Sequence, residues 1–336
     1  YGDVDHREVA AGDRRLGDEL RGLLHALVFQ QAPHEFRAGI LGLALVLALG
    51  LLSLGAKDAP KAAPKVPDPV CTNDSSWTDP GAPFRIFGNT WYVGSCGVSA
   101  ILITSKAGHV LIDVPMDENV PMIEANIQRA GFKLKDVKYI LFSHSHYDHI
   151  GGVAQMARDT GATVVGRGAD ADAVERGKSG RDDPQFYSSG PFPAHKPVQR
   201  LDDGLVLLGP LSLTPVPTTG HTPGSTSWTW RSCEKKRCAQ IVYADSLTAI
   251  SDDDYKFSDA AANPGYAQAF RDSVARIGKL ACALLITPHP SASAMWERFG
   301  PTATRSPIDP TACHALALRA GKALDARLAK EAGGKP

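Results

Sequence analysis

Tyr139-Ile140-Leu141-Phe142-Ser143-His144-Ser145-His146-Tyr147-Asp148-His149-Ile150-Gly151-Gly152-Val153 runs from an apolar stretch into three imidazoles and a carboxylate, and leaves through a pair of glycines. Tyr139 to Phe142 reads as a buried strand, and the segment after Ile150 as a turn into a helix. His144 and His146 alternate, so an extended backbone projects them to one side, while Asp148 and His149 can turn toward a second position. No packing or solubility requirement calls for this density of ligands. Imidazoles with one carboxylate suit Zn²⁺ better than Ca²⁺ or Mg²⁺, which prefer oxygen shells. Ligands at the carboxyl end of a strand also sit where open α/β folds place their sites. The reading is a metal cradle for two ions.

Around this stretch the pattern is short strands and helices. Strands are expected at residues 90–93, 99–104 and 109–114, then a helix over 120–130 with Asn119 as its cap, Pro121 in its first turn and Gly131 as its stop. After the cradle come a helix at 153–159, a strand at 162–166 and a helix at 169–176. Residues 177–197, rich in Gly, Ser, Pro and aromatics, form either a functional loop or a surface insertion. Strands at 198–201, 205–208, 211–216, 225–230 and 240–244 follow, then a helix at 264–280, a strand at 283–287 and a terminal helix at 312–330. Two such halves imply an α/β fold of two sheets packed face to face with helices outside.

The chain has 336 residues, with Lys+Arg 36 against Asp+Glu 36, so there is no electrostatic footprint for nucleic acid. Arg37 followed by the apolar run Ile40 to Leu52 and small residues through Ala56 has the regions of a secretory signal peptide. The run is shorter than the roughly 20 residues of a membrane span. Residues 1–56 are therefore expected to be an upstream segment and signal peptide, 57–70 a flexible Lys/Pro tether, and 71–336 the folded domain. Export implies oxidised cysteines, and there are 6. Cys233 and Cys238 flank a polar turn between apolar strands and can face each other across a hairpin. The partners of Cys71, Cys96, Cys282 and Cys313 stay open at this level.

A cradle of four groups needs further ligands. His221, in Thr219-Gly220-His221-Thr222-Pro223-Gly224-Ser225, and His289, in Thr287-Pro288-His289-Pro290, each lie just past a strand, as His144 does. His109, His195 and His314 fall in a strand, a loop and the last helix, and read as packed or solvated. His6, His25 and His34 precede the expected cleavage.

His-x-His-x-Asp-His after a strand, with Gly220-His221-Thr222-Pro223-Gly224-Ser225, Ala244-Asp245-Ser246-Leu247-Thr248 and Pro288-His289, resembles the metallo-β-lactamase superfamily from about Cys71 to Arg327. Gly88-Asn89-Thr90-Trp91-Tyr92-Val93-Gly94 and Ser225-Thr226-Ser227-Trp228-Thr229-Trp230 are similar to its B3 subclass. The resemblance implies an αββα sandwich and a periplasmic, zinc-dependent β-lactamase. Such an enzyme opens the amide of penicillins, cephalosporins or carbapenems with water activated on zinc, and so confers antibiotic resistance. It implies His144, His146 and His221 on one zinc, and Asp148, His149 and His289 on a second. Asp148 would also orient the nucleophile or pass a proton. Ser246 and Thr248 would bind the substrate carboxylate, Thr248 standing where Ser is usual. Cys282 and Cys313 look like the subclass disulfide, which leaves Cys71 with Cys96. Loop position adds Gln185, Phe186 and Tyr255 as candidate substrate contacts. The protein is expected to act as a monomer, with the membrane met only through the signal segment. Another binuclear hydrolase of the fold is the rival. A glyoxalase II type thioesterase or a lactonase would use a bridging carboxylate in the segment of Asp245. An exported zinc-binding protein without catalysis is the second rival, disfavoured because structural zinc sites are closed and often use Cys.

Overall fold

The computed structural model describes residues 68–201, 203–300 and 303–333. The signal segment and most of the tether lie outside the described residues. Strands β1 (Phe84–Phe87), β2 (Thr90–Tyr92), β3 (Ile101–Ser105), β4 (Gly108–Ile112), β5 (Val137–Leu141), β6 (Thr163–Gly166) and β7 (Gln199–Arg200) follow one another across a seven-stranded sheet. The pairs from β1 to β4 are antiparallel, and those from β4 to β7 are parallel. A five-stranded sheet takes β8 (Val206–Leu208), β9 (Leu211–Pro217), β10 (Thr226–Glu234), β11 (Arg237–Tyr243) and β12 (Leu284–Ile286), in the order β12-β11-β10-β9-β8.

Alternation along the strands decides what lies between and outside the sheets. Ile101, Ile103, Val110 and Ile112 turn inward to meet Leu213, Trp228, Trp230, Ile241 and Ile286 in a shared core. Their neighbours Leu102, Leu111, Ile140 and Val164 face outward, where helices α1 (Val120–Arg129), α3 (Val153–Thr160) and α4 (Gly168–Arg176) cover them. A single turn, α2 (Tyr147–Ile150), precedes α3. On the far side Val242 and Leu285 pack with α5 (Tyr266–Gly278) and α6 (Ala312–Glu331) through Phe270, Ile277 and Leu324. The result is helix, sheet, sheet, helix, as expected.

Disulfides join Cys71 to Cys96, Cys233 to Cys238 and Cys282 to Cys313. Cys233 and Cys238 are direct cross-strand partners in the β10–β11 hairpin. One local expectation fails. Asn119 already has helical dihedrals at the end of the short turn Asp117–Asn119 and makes no cap hydrogen bond. Its amide instead donates to the Trp77 carbonyl at 3.0 Å, holding the N-terminal strap near the site. Gly131, with φ +92°, does follow the helix as its stop.

At one rim the two sheets are bolted together. Trp228 Nε1 donates to the Phe142 carbonyl at 3.0 Å, Thr226 N to Ser143 O at 2.8 Å, and Ser99 N to Pro288 O at 2.8 Å. The segments leaving β5, β9, β11 and β12 all reach this rim.

Candidate metal centre

His146 keeps extended dihedrals, and Tyr147 to Ile150 then coil into α2. The change of backbone turns Asp148 and His149 away from His146, while His144 stays within reach of both sets, its ring 4.8 Å from that of His146 and 4.2 Å from that of His149. Gly220 and Gly224 bring the next ligand loop in close. A Cβ on Gly220 would strike the Phe270 ring, and one on Gly224 would come within 2.5 Å of the Asp170 amide.

His144, His146 and His221 offer ligand atoms that all lie within 4.8 Å of one another. His144 is held by Asp245, whose Oδ1 is 2.8 Å from Nδ1, and its Nε2 is buried with no hydrogen-bond partner. A buried imidazole nitrogen without a partner is costly unless an ion takes it. Asp183 does the same for His146 from the other nitrogen, 3.1 Å from Nε2. His221 Nδ1 lies 2.9 Å from Thr248 Oγ1, which turns its Nε2 inward. Burial, and then the neighbouring imidazoles, hold His144 well below the ordinary histidine range, and burial first of all brings His221 down to about 3. Both are neutral near pH 7, the state a ligand requires.

The second group is tighter. Asp148 Oδ2 lies 3.1 Å from His149 Nε2 and 3.3 Å from His289 Nε2, and the two nitrogens are 3.3 Å apart. Ligand atoms about 2.0–2.1 Å from a tetrahedral zinc stand about 3.3 Å from one another, so the triangle has the dimensions of a coordination face. His144 also falls within 4.8 Å of Asp148 and His149, which joins the two groups. Burial disfavours charge on His149, but Asp148 and Asp113 outweigh it and raise the imidazole to about 10. Asp113 Oδ2 is 3.4 Å from His149 Nδ1, close as an ion pair without hydrogen-bond alignment. Asp113 itself is pinned by Ser143 N and Oγ and by Tyr243 OH, at 2.6, 2.7 and 2.6 Å. Asp148 stays ionised, because His149 and His289 more than offset its burial.

The donor set therefore fits a metal of the zinc type, with carboxylates behind the imidazoles fixing tautomer and orientation. Two of those carboxylates, Asp113 and Asp183, were not singled out from sequence, nor was Asp170, which braces the ligand loops. Asp170 accepts from Ser145 N at 3.0 Å, Thr222 Oγ1 at 2.6 Å and Gly224 N at 2.9 Å, and so ties the two ligand loops together. Burial pushes it up to about 6. Only the unusual loop at 177–197 hinted at Asp183. Trp77 was missed too. It is half-exposed, with its ring 5.5 Å from that of His289.

Ser246, Thr248, His221 and His289 line one cleft of about 320 Å³. Gln185 reaches the centre, its Nε2 being 3.4 Å from His221 Nε2. Phe186 lies instead in a neighbouring depression, with Lys178 Nζ 4.3 Å from its ring centre. Tyr255 packs against Phe257 and Tyr266, its hydroxyl buried and without a partner. His109 is a packed strand residue, edge-on to Phe132 at 5.0 Å.

The profile of the "Metallo-beta-lactamase superfamily" matches residues 93–234. Among solved structures, the Rm3 metallo-beta-lactamase is 43% identical with TM-score 0.74, over 76% of this chain and 97% of that one. MEM-A1, a subclass B3 metallo-beta-lactamase from a soil metagenome library, is 40% identical with TM-score 0.74, over 77% of this chain and 100% of its own. This chain belongs to the B3 metallo-β-lactamases. MIM-1 of Novosphingobium pentaromativorans is similar at 44% identity and TM-score 0.73, over 76% of this B3 chain and 93% of MIM-1. A curated metal-dependent hydrolase of Staphylococcus aureus is 37% identical over 76 residues, which is 23% of this chain and 31% of that protein. The chain thus spans about a third of the curated relatives it matches. No helix among the described residues is long and apolar enough to cross a membrane.

Proposed function

We propose that this chain is an exported β-lactamase that uses two zinc ions, one held by His144, His146 and His221 and one by Asp148, His149 and His289. When bound, the ions would supply water activated near neutral pH and a Lewis acid for the lactam carbonyl. Asp148, ionised at the junction of the two groups, is the base that can orient that water and carry a proton toward the amide nitrogen. With Nε2 of His221 turned to an ion, Nδ1 carries the hydrogen and donates toward Thr248 Oγ1 and O, so the Thr248 hydroxyl hydrogen is free to donate to a substrate carboxylate. Ser246, on the same cleft wall, offers a second hydroxyl.

The observation that carries the reading is the direction of Asp245. A thioesterase or lactonase of this fold would use a carboxylate in this segment as a bridge between ions. Here Asp245, buried in the floor of the cleft, turns its Oδ1 onto His144 Nδ1 behind that ring, while Ser246 and Thr248 line the cleft beside it. The cleft itself speaks against a closed structural zinc site. Three disulfides support an oxidising compartment, and residues 37–56 are the proposed export signal.

The test is hydrolysis by the purified zinc-loaded protein of a penicillin, a cephalosporin and a carbapenem, followed by loss of lactam absorbance. Turnover of at least one class is expected. Cleavage of lactoylglutathione or acyl-homoserine lactones with all three lactams left intact would overturn the reading.

A further inference from the structure

The cleft that holds Ser246 and Thr248 has a third polar wall, contributed by the terminal helix. Arg319 of α6 lines it beside these two residues and His289. Arg319 is the single Lys or Arg among the described residues of that lining, and the one acid there, Asp245, is buried and engaged with His144. Arg319 is exposed, and no carboxylate pairs with it among the described residues. Its Nη2 donates to the Ala292 carbonyl at 3.3 Å, in the turn that follows His289. That bond steadies the side chain against the cleft wall and leaves the remaining guanidinium hydrogens free.

We propose that Arg319 is a specificity residue: it supplies the positive charge that selects substrates bearing a carboxylate next to the scissile amide, with Ser246 and Thr248 as neutral hydrogen-bond partners. The proposal deepens the lactamase reading and rests on it. Two hydroxyls can orient a carboxylate but carry no charge to offset its desolvation, whereas a guanidinium with two or more free N–H groups meets a carboxylate edge-on. The carboxylate takes no part in the bond that breaks, so the interaction is the same before and during reaction and belongs in KM.

The experiment uses the zinc-loaded full chain, with Arg319→Ala and Arg319→Lys, on benzylpenicillin and its neutral methyl ester. For R319A the KM of the acid should rise about tenfold, the scale of one charge-assisted hydrogen bond at a half-open site, with a much smaller change in kcat. The KM of the ester should move far less, and R319K should recover part of the loss. Acid and ester moving together, or neither moving, overturns the proposal. Failure of the lactamase reading looks different, because the wild type would then turn over no lactam. Calorimetric binding of mercaptoacetate against 2-mercaptoethanol still decides the role of Arg319 in that case. R319A should weaken the first thiol and spare the second, and equal effects would refute it. Arg319 is exposed on a helix anchored elsewhere by Leu316, Ala320 and Leu324, so circular dichroism of the variants should match the wild type.

Discussion

His144, His146 and His221 come together from two loops, and the structure holds at least two of these rings neutral. Asp148, His149 and His289 form a smaller triangle in which the His149 ring is an imidazolium between the carboxylates of Asp148 and Asp113. In the first group, His144 and His221 offer lone pairs to a cation. The second already contains a positive charge, so an ion entering there has to displace a proton. The same residue types give opposite starting states because of what stands behind each ring. Asp245 and Asp183 each face one nitrogen of a ring in the first group, whereas His149 is held between two carboxylates, one at each nitrogen.

The largest effect expected is from removing metal altogether. Chelation should abolish lactam turnover while leaving the far-UV spectrum in place, because the three apolar cores and three disulfides do not pass through the ligands. Restoring zinc stepwise should fill the three-histidine group first. Unfolding on chelation would mean that the metal is part of the fold, as in structural zinc domains.

Next in size is the carboxylate support of the first group. Asp245→Asn allows an N–H to face His144 Nδ1 and so disturbs the tautomer, and affinity there should fall about 10- to 100-fold. The second group should change much less. Titration of the variant with zinc and a competing chelator reads both steps, and an equal loss at both would erase the distinction between them.

The proton on His149 gives the third contrast. Its folded pKa, about 10, is raised above the ordinary 6.5. In the metal-free protein this imidazolium therefore contributes stability that is fully present below pH 6.5 and is lost as pH rises through 10. Loading the second group near pH 7 should release this proton, and its affinity should weaken about tenfold for each pH unit of acidification. The His144 and His221 rings add no such dependence near neutrality. Zinc calorimetry in buffers of different ionisation enthalpy measures the release, and a proton count independent of which group is filled would contradict the assignment.

The candidate ligands stood out in sequence because they carry their own punctuation: a six-residue cluster after a strand, and two histidines set off by Gly or Pro. Their supporting carboxylates carry none. Asp113 follows β4 with φ +60°, Asp170 sits in the first turn of α4 and Asp183 in the loop at 177–197. Each is a single acid whose importance appears only when tertiary contacts bury it against an imidazole or a ligand loop. Apart from β1 and the single turn α2, for which no element was expected, strand and helix positions were readable from periodicity, with ends shifted by a few residues, most of all in the β10–β11 hairpin, where pairing continues through Cys233 and Cys238. Phe186 and Tyr255 were assigned by loop position alone, which does not say which way a side chain turns.

The smallest effect should come from Trp77, and it separates the two groups from outside. Its indole lies over His289, a proposed ligand of the second group only, at a tilt of 33°. The Asn119 amide and the Cys71–Cys96 disulfide hold this strap in position. An aromatic pair adds roughly 0.5–1.5 kcal/mol beyond buried area, and the half-exposed indole belongs near the lower end. Trp77→Ala should thus weaken zinc at the second group by about threefold through freer motion of His289, with Trp77→Phe in between. Binding at the three-histidine group should not move. Competition titrations resolve a change of that size, and a drop confined to the first group would show that the indole acts through the strap's packing and not through the His289 ring.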